Sequence, residues 1–128
     1  MMVRTHGLLL ALAVTCGCAG VAFAADGGTK IDGQVAFNNN CRTCHSMDAG
    51  DNRLGPNLAG IIGRKAGAAE GYGYSSAFQG ADFSWDADRL DAFIADPNSV
   101  VPGNNMKPYA GIVDKAVRAA ILAHLKAL

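Results

Sequence analysis

The sequence has no excess of either charge and few runs of β-branched residues. Its 11 Lys and Arg balance 11 Asp and Glu, so the formal net charge is zero. A nucleic-acid-binding domain normally carries a basic patch or stripe, so this balance argues against that class. Runs of Val, Ile and Thr, which favour strands, are scarce, whereas glycine is abundant with 16 residues. The composition therefore predicts helices joined by glycine-rich loops.

The chain also shows no internal repeat and no low-complexity segment. Its 128 residues predict a single domain, and half of them are hydrophobic, which is enough for a core. The even cysteine count is not evidence for disulfides, because the four cysteines fall into two unrelated pairs. Cys16 and Cys18 lie in an apolar N-terminal segment, whereas Cys41 and Cys44 lie in a C-x-x-C-H motif.

The apolar N-terminal segment predicts export. Residues 1–25 begin with a positive charge at Arg4, continue with an apolar stretch and end in an Ala-Phe-Ala sequence, as a signal peptide does. We expect the mature domain, residues 26–128, in the periplasm. The uncharged residues 7–25 are just long enough to remain as a membrane anchor instead. Lipid attachment at Cys18 is a third alternative, which the residues before it fit poorly.

The C-x-x-C-H motif at 41–45 predicts covalent haem. Two cysteines at this spacing can each add across one vinyl group of haem, and His45 then lies under the iron as an axial ligand. The motif would fill only half of a zinc site, because no second cysteine pair remains after cleavage of the signal peptide. A redox dithiol is the other alternative, but no βαβ pattern surrounds the motif. We expect one haem c, held by Cys41 and Cys44, with its iron bound by His45.

Three aspartates predict the starts of three main helices. Asp32, Asp86 and Asp114 each precede an apolar stretch with helical spacing, and an aspartate can accept hydrogen bonds from the first amides of a helix. The first helix should end at the asparagine run 38–40, and the middle helix should end before Pro97.

The connecting segments predict loops around a central group. Residues 60–73 contain five glycines without a clear period, residues 75–79 allow one helical turn, and residues 101–109 contain two prolines and a glycine. Long irregular loops are costly unless they wrap something, and the edge of a haem is a good candidate.

A six-coordinate haem needs a ligand opposite His45, and three residues qualify by type. Met47 is two residues from His45 and therefore lies on the same side of the haem. His124 lies midway along the last predicted helix, where a single histidine is more often a packing or surface residue. Met106 lies in a loop rich in Pro, Gly and Asn, which is a poor place for a core methionine. We therefore predict Met106 as the second axial ligand.

Several short motifs occur in an order typical of one family. They are C-x-x-C-H at 41–45, Gly-Pro-Asn-Leu at 55–58, Gly-Arg-Lys-Ala-Gly at 63–67, Tyr-Ser at 74–75, Trp85 and Pro-Gly-Asn-Asn-Met at 102–106. With them, residues 32–127 resemble class I c-type cytochromes, in the branch of mitochondrial cytochrome c and bacterial cytochrome c2. The resemblance implies an all-α, small class I cytochrome c fold with three main helices and glycine-rich loops around one covalent haem. It also implies that Gly33 and Phe37 contact the last helix.

The same resemblance implies roles that the spacing alone does not show. The carbonyl of Pro56 would accept a hydrogen bond from the ring of His45 and fix its tautomer. Arg64, Tyr74 and Trp85 would bind a buried haem propionate, because a buried carboxylate needs such partners to stay ionised. Without the resemblance, Arg64 would be predicted as a solvated charge and Trp85 as an ordinary core residue.

The sequence departs from the family at positions that bear on the ligand and on docking. Phe93 stands where the family usually has a tyrosine that bonds the methionine sulfur, and Phe78 stands where an asparagine is common. The positions that match the family's lysine ring are Asn40, Asn98 and Asn105. The basic docking face is therefore largely missing, and the identity of the partners does not carry over.

The resemblance implies a one-electron carrier in which the haem iron changes between Fe(III) and Fe(II). Its partners would be membrane or periplasmic redox proteins of a respiratory or photosynthetic chain, bound transiently, and we expect a monomer. We expect no enzymatic activity, because no nucleophile–base pair and no pair of catalytic carboxylates is visible. The alternatives are the haem subunit or domain of a periplasmic dehydrogenase or peroxidase, and a gas- or redox-sensing module.

Overall fold

A computed structural model describes residues 28–127, so the predicted signal peptide at 1–25 lies outside the described residues. The described chain forms five helices: α1 (Gly33–Asn40), α2 (Ser76–Gln79), α3 (Ala87–Ala95), α4 (Pro97–Val100) and α5 (Lys115–Lys126). Long loops connect them, and residues 28–127 contain no β-strand, only an isolated bridge between Lys65 and Ser84. The predicted all-α fold with three main helices is confirmed. Within the same residues, no helix is both long and apolar enough to cross a membrane.

The three longer helices begin at the predicted aspartates. The side chains of Asp32, Asp86 and Asp114 each accept a hydrogen bond from a backbone amide in the first turn of the helix that follows. Such a cap satisfies an amide that the helix itself leaves without a partner, and it typically stabilises a helix by about 1 kcal/mol. The short polar residues before the apolar stretches were therefore sufficient to locate the helix starts.

The four-residue helix α4 was not predicted. Asp96 ends α3 and also caps α4, because its side chain accepts a hydrogen bond from the amide of Asn98 at 3.1 Å. Pro97 occupies the first helical position, where its missing amide hydrogen costs nothing. A single helical turn is too short to show a hydrophobic period, so the proline was its only local signal.

A glycine allows α1 to pack closely against α5. A Cβ atom at Gly33 would lie 2.5 Å from the carbonyl oxygen of Ala120 and 3.0 Å from the Cβ of His124. One turn further along α1, the ring of Phe37 lies 5.7 Å from the ring of His124, measured between centroids. The predicted contact of Gly33 and Phe37 with the last helix is therefore confirmed.

One cluster of buried apolar side chains connects α1, α3 and α5 with the loops. Ile121 of α5 has no exposed surface and lies among them. The half-buried Cys41, Phe78 and Met106 pack against the same cluster, so the motif and the loop that carries Met106 share one core. The buried members are Ala36, Phe37, Ile61, Ala66, Trp85, Leu90, Phe93, Ile94, Val101, Ile121 and Leu125.

The close packing at Gly33 leads to a test. Gly33→Ala should lower the free energy of unfolding by about 1–3 kcal/mol, because the added methyl group overlaps the backbone of α5. Alanine has the higher helix propensity, so a helix effect alone would change stability in the opposite direction. Urea unfolding of the holoprotein measures the difference. Gln34→Ala, at the exposed neighbouring position, is the matched control and should be near neutral. Increased stability of Gly33→Ala would contradict the packing.

Candidate haem site

The side chain of His45 is buried, and a single hydrogen bond sets its tautomer. Its Nδ1 lies 2.8 Å from the carbonyl oxygen of Pro56. A carbonyl can only accept, so Nδ1 carries the hydrogen and donates it. Burial lowers the pKa of His45, an effect that the bond to Pro56 partly opposes. A neutral ring with its hydrogen on Nδ1 leaves the lone pair on Nε2, which is the arrangement of a metal-ligating histidine.

The turn that carries Pro56 is tied to the C-x-x-C-H motif by backbone hydrogen bonds. The amide of Gly55 donates to the carbonyl of Cys44 at 2.7 Å, and the amide of Leu58 donates to the carbonyl of Ser46 at 2.8 Å. Gly55 lies directly against the imidazole of His45, and a Cβ atom there would overlap the ring. The glycine of the Gly-Pro-Asn-Leu motif is thus required by the closeness of the histidine.

The two cysteines of the motif are unpaired thiols at the end of α1. Cys41 follows the last residue of α1, and its amide still donates to the carbonyl of Phe37 at 2.8 Å. The amide of His45 donates to the carbonyl of Cys41 at 2.9 Å, so the motif forms one compact turn. Burial raises the pKa of Cys41 to about 11, and the neighbouring Cys44 adds to this effect. Before haem is attached, the thiol of Cys41 is therefore uncharged at neutral pH.

Met106 is half-buried, and a buried asparagine holds its backbone. The amide of Met106 donates to Oδ1 of Asn104 at 2.9 Å. The side-chain nitrogen Nδ2 of Asn104 donates to the carbonyl of Val101 at 2.9 Å and to Oδ1 of Asn98 at 3.1 Å. Asn104 is only 2% exposed and so connects the Met106 loop to α4. Sequence reasoning missed this residue, because an Asn-Asn pair after Pro-Gly is typical of a solvated turn.

Arg64 is a half-buried cation with only neutral partners. Its two terminal nitrogens donate to the side chain and carbonyl of Asn57 and to the carbonyl of Ala59. Burial lowers the pKa of Arg64. No ion pair of Arg64 is found among the described residues, and its Nε is buried without a hydrogen-bond partner there. A partly buried cation with an unused donor fits a site that receives an anion.

The other two predicted propionate-binding residues, Trp85 and Tyr74, belong to two further segments. The amide of Trp85 donates to the carbonyl of Arg64 at 2.9 Å, so these residues are neighbours across the isolated bridge. The hydroxyl of Tyr74 accepts a hydrogen bond from the amide of Ala69 at 3.1 Å. Between ring centroids, Tyr74 lies 5.5 Å from Phe78 and Phe78 lies 6.4 Å from Trp85. The structure therefore places Trp85 next to Arg64 and connects Tyr74 to Trp85 through Phe78.

Ser75 directly follows Tyr74, and the sequence predicted no role for it by itself. Its Oγ is buried without a hydrogen-bond partner among the described residues, like Nε of Arg64. A buried donor without a partner is costly, so Nε of Arg64 and Oγ of Ser75 each need an acceptor. A propionate carboxylate would accept a hydrogen bond from Arg64 and balance its charge, so the residues present fit a haem. The neighbouring Tyr-Ser pair was the only sequence signal for Ser75.

The other two candidates for the second axial position lie in ordinary packing environments. The ring of His124 packs on Phe37 at the contact of α1 with α5. Met47 is half-buried and packs against the main apolar cluster, close in sequence to His45. Phe93 is buried and packs edge-to-face on Trp85 at 5.0 Å between ring centroids.

Comparison with known proteins identifies the class. The family model for cytochrome c matches residues 31–128. The chain is 44% identical over 88 residues to cytochrome c2 iso-2 of Magnetospirillum fulvum, and the aligned region covers 69% of this chain and 91% of that protein. It is 37% identical over 105 residues to cytochrome c2 of Rhodopila globiformis, covering 82% and 98%. Among solved structures, cytochrome cH from Methylobacterium extorquens matches with a TM-score of 0.68 and 38% identity, covering 75% of this chain and 95% of that one.

These similarities and the geometry of the motif define a class I c-type cytochrome. The chain belongs to the cytochrome c family, whose members are haem-containing electron carriers. It holds one haem c covalently through Cys41 and Cys44, and the iron is that of the haem. The predicted family, fold class and cofactor are therefore confirmed.

The closeness of Gly55 to His45 leads to a second test. Gly55→Ala should lower the unfolding free energy of the holoprotein by about 1–3 kcal/mol, because the new methyl group displaces the imidazole. The His45–Pro56 hydrogen bond should weaken with it, which NMR of the ring N–H measures. Gly73→Ala is the matched control, since a Cβ atom there meets open space. Equal stability of the two variants would show that Gly55 does not position the ring.

Proposed function

We propose that this chain is an exported monohaem electron carrier in which His45 and Met106 bind the iron from opposite sides. The haem supplies the chemistry, a one-electron change between Fe(III) and Fe(II). The observation that carries the proposal is the fixed tautomer of His45. Its Nδ1–H is used by Pro56, so Nε2 can act only as a lone-pair donor.

The remaining residues bind and orient, and none of them reacts. The thioether of Met106 is a soft ligand that favours the reduced iron, and Asn104 fixes the backbone that carries it. Arg64, Tyr74 and Trp85 would bind one propionate, and the guanidinium of Arg64 would balance its charge. The buried, unpaired Oγ of Ser75 would be a further donor. Trp85 is buried and packs edge-to-face on Phe93.

The carrier is favoured over an enzyme because both axial positions would be filled. A peroxidase or a gas sensor needs an open or easily opened coordination position, and a dehydrogenase subunit needs a permanent catalytic partner. Within residues 28–127, no side chain is assigned a catalytic role. The position of Met106 in a loop anchored to the protein core supports a stable second ligand.

Residues 1–25 would direct export to the periplasm, with residues 7–25 as a membrane anchor if they are not removed. The partners would be membrane or periplasmic redox proteins that dock transiently on a monomer. Asn40 and Asn105, which directly precede Cys41 and Met106, are exposed and uncharged. Because these side chains carry no charge, docking of the partners should depend less on salt concentration than docking on a ring of lysines would.

Replacement of Met106 tests the second ligand. In Met106→Ala, the absorption band that arises from methionine bound to ferric haem should disappear, and the reduction potential should fall, because a soft ligand that favours Fe(II) is lost. Met47→Ala is the matched control and should retain the band. A band that persists in Met106→Ala, or that is lost only in Met47→Ala, would show that Met106 is not the ligand.

Carbon monoxide binding separates a carrier from an enzyme or a sensor. The reduced wild-type protein should not bind carbon monoxide at neutral pH, because His45 and Met106 would occupy both axial positions. Met106→Ala should bind it readily and serves as the positive control. Absorption spectra under carbon monoxide report the result. Rapid binding by the wild type would favour the peroxidase or sensing function instead.

A further inference from the structure

One backbone carbonyl holds two points of the segment that follows Met106. We call residues 107–113, which lead from Met106 back to α5, the return segment. The hydroxyl of Tyr109 donates to the carbonyl of Ile94 at 2.6 Å, and the amide of Ile112 donates to the same oxygen at 3.0 Å. Ile94 lies in the last turn of α3 and is buried, so the return segment is fastened to a rigid part of the core.

The second half of the return segment has further fixed contacts. Nη1 of Arg118 donates to the carbonyls of Ile112 and Val113 at 2.8 and 2.9 Å, while the same guanidinium pairs with Asp91 of α3. Gly111 lies so close to the backbone of Ala95 that a Cβ atom would overlap its carbonyl oxygen. The half nearest Met106 is held differently. Among residues 107–110, the hydroxyl of Tyr109 makes the one side-chain hydrogen bond found in the described structure.

Tyr109 is half-buried, and its hydroxyl is a donor. Burial raises the pKa of Tyr109 to about 12, and Arg118 opposes this effect. The phenol therefore keeps its hydrogen at physiological pH and remains a donor. Phe93 has no hydroxyl, so it cannot hold the Met106 sulfur by a hydrogen bond. The stability of the bond between Met106 and the iron would then depend on how firmly the return segment is held.

We propose that Tyr109 is a positioning residue for Met106: its hydroxyl, by donating to the Ile94 carbonyl, keeps the return segment closed and the sulfur on the iron. The proposal rests on the proposed function, in which Met106 is the second axial ligand. Tyr109 acts through the backbone of the return segment and need not contact the iron.

Competition with imidazole measures this role. Added imidazole displaces a methionine from ferric haem, and loss of the methionine–iron band gives its apparent Kd. Tyr109→Phe should lower that Kd about fivefold, which corresponds to about 1 kcal/mol and is the usual net contribution of one neutral hydrogen bond. The limiting rate of binding at high imidazole concentration reports opening of the return segment and should rise.

Tyr72→Phe is the matched control. The hydroxyl of Tyr72 also donates to a backbone carbonyl, that of Leu54 at 2.8 Å, but this bond lies next to the turn that carries Pro56. The same substitution thus removes the same kind of bond on the His45 side. It should leave the imidazole Kd within about twofold of the wild type, since effects at separate sites are independent.

The outcomes separate the two proposals. A lower imidazole Kd in Tyr109→Phe but not in Tyr72→Phe supports the role of Tyr109. An unchanged Kd in Tyr109→Phe, or an equal change in both variants, overturns it while the methionine–iron band of the wild type leaves Met106 as the ligand. Absence of that band from the wild type would overturn both the assignment of Met106 and the positioning role.

Discussion

The hydrogen bond from His45 to the Pro56 carbonyl is the constraint around which the site is built. It requires a carbonyl oxygen at a fixed place beside the imidazole, and therefore a turn that approaches the motif closely. Gly55 makes that approach possible, and two backbone hydrogen bonds, to Cys44 and to Ser46, hold the turn there. The C-x-x-C-H motif in turn follows α1 directly, so the packing of α1 on α5 determines where the imidazole lies.

The two sides of the site are held by different means. On the His45 side, the turn and the motif are joined directly by short backbone hydrogen bonds, to which the hydroxyl of Tyr72 adds one side-chain bond. The Met106 side has one such backbone bond, from Ile112 to Ile94, and depends more on three side chains: those of Asn104, Tyr109 and Arg118. Side-chain bonds to a loop can be lost one at a time, whereas a backbone turn changes as a unit. The Met106 side is therefore the part of the molecule whose local stability single substitutions can adjust.

Local signals made much of this structure predictable. Asp32, Asp86 and Asp114 marked the helix starts because a cap acts within three residues of itself, and the C-x-x-C-H spacing located the haem. Asn104 and Arg118 were not predictable, because each has the sequence context of a solvated residue. Arg118 is buried by pairing with Asp91, 27 positions earlier, and such long-range partners leave no local pattern. Roles for Arg64, Tyr74 and Trp85 came from the family resemblance rather than from any pattern in the residues.

The contact of α1 with α5 has a consequence for the order of events during biosynthesis. Helix α1 has eight residues, too few to be stable alone, and its partner α5 begins only at Lys115, after the whole haem-binding segment. Closing so long a loop carries an entropic cost that is recovered only when both helices pack. A growing chain therefore cannot complete this contact before α5 has been made. Until then α1 lacks its packing partner, and we expect the thiols of Cys41 and Cys44 to remain accessible for attachment of the haem.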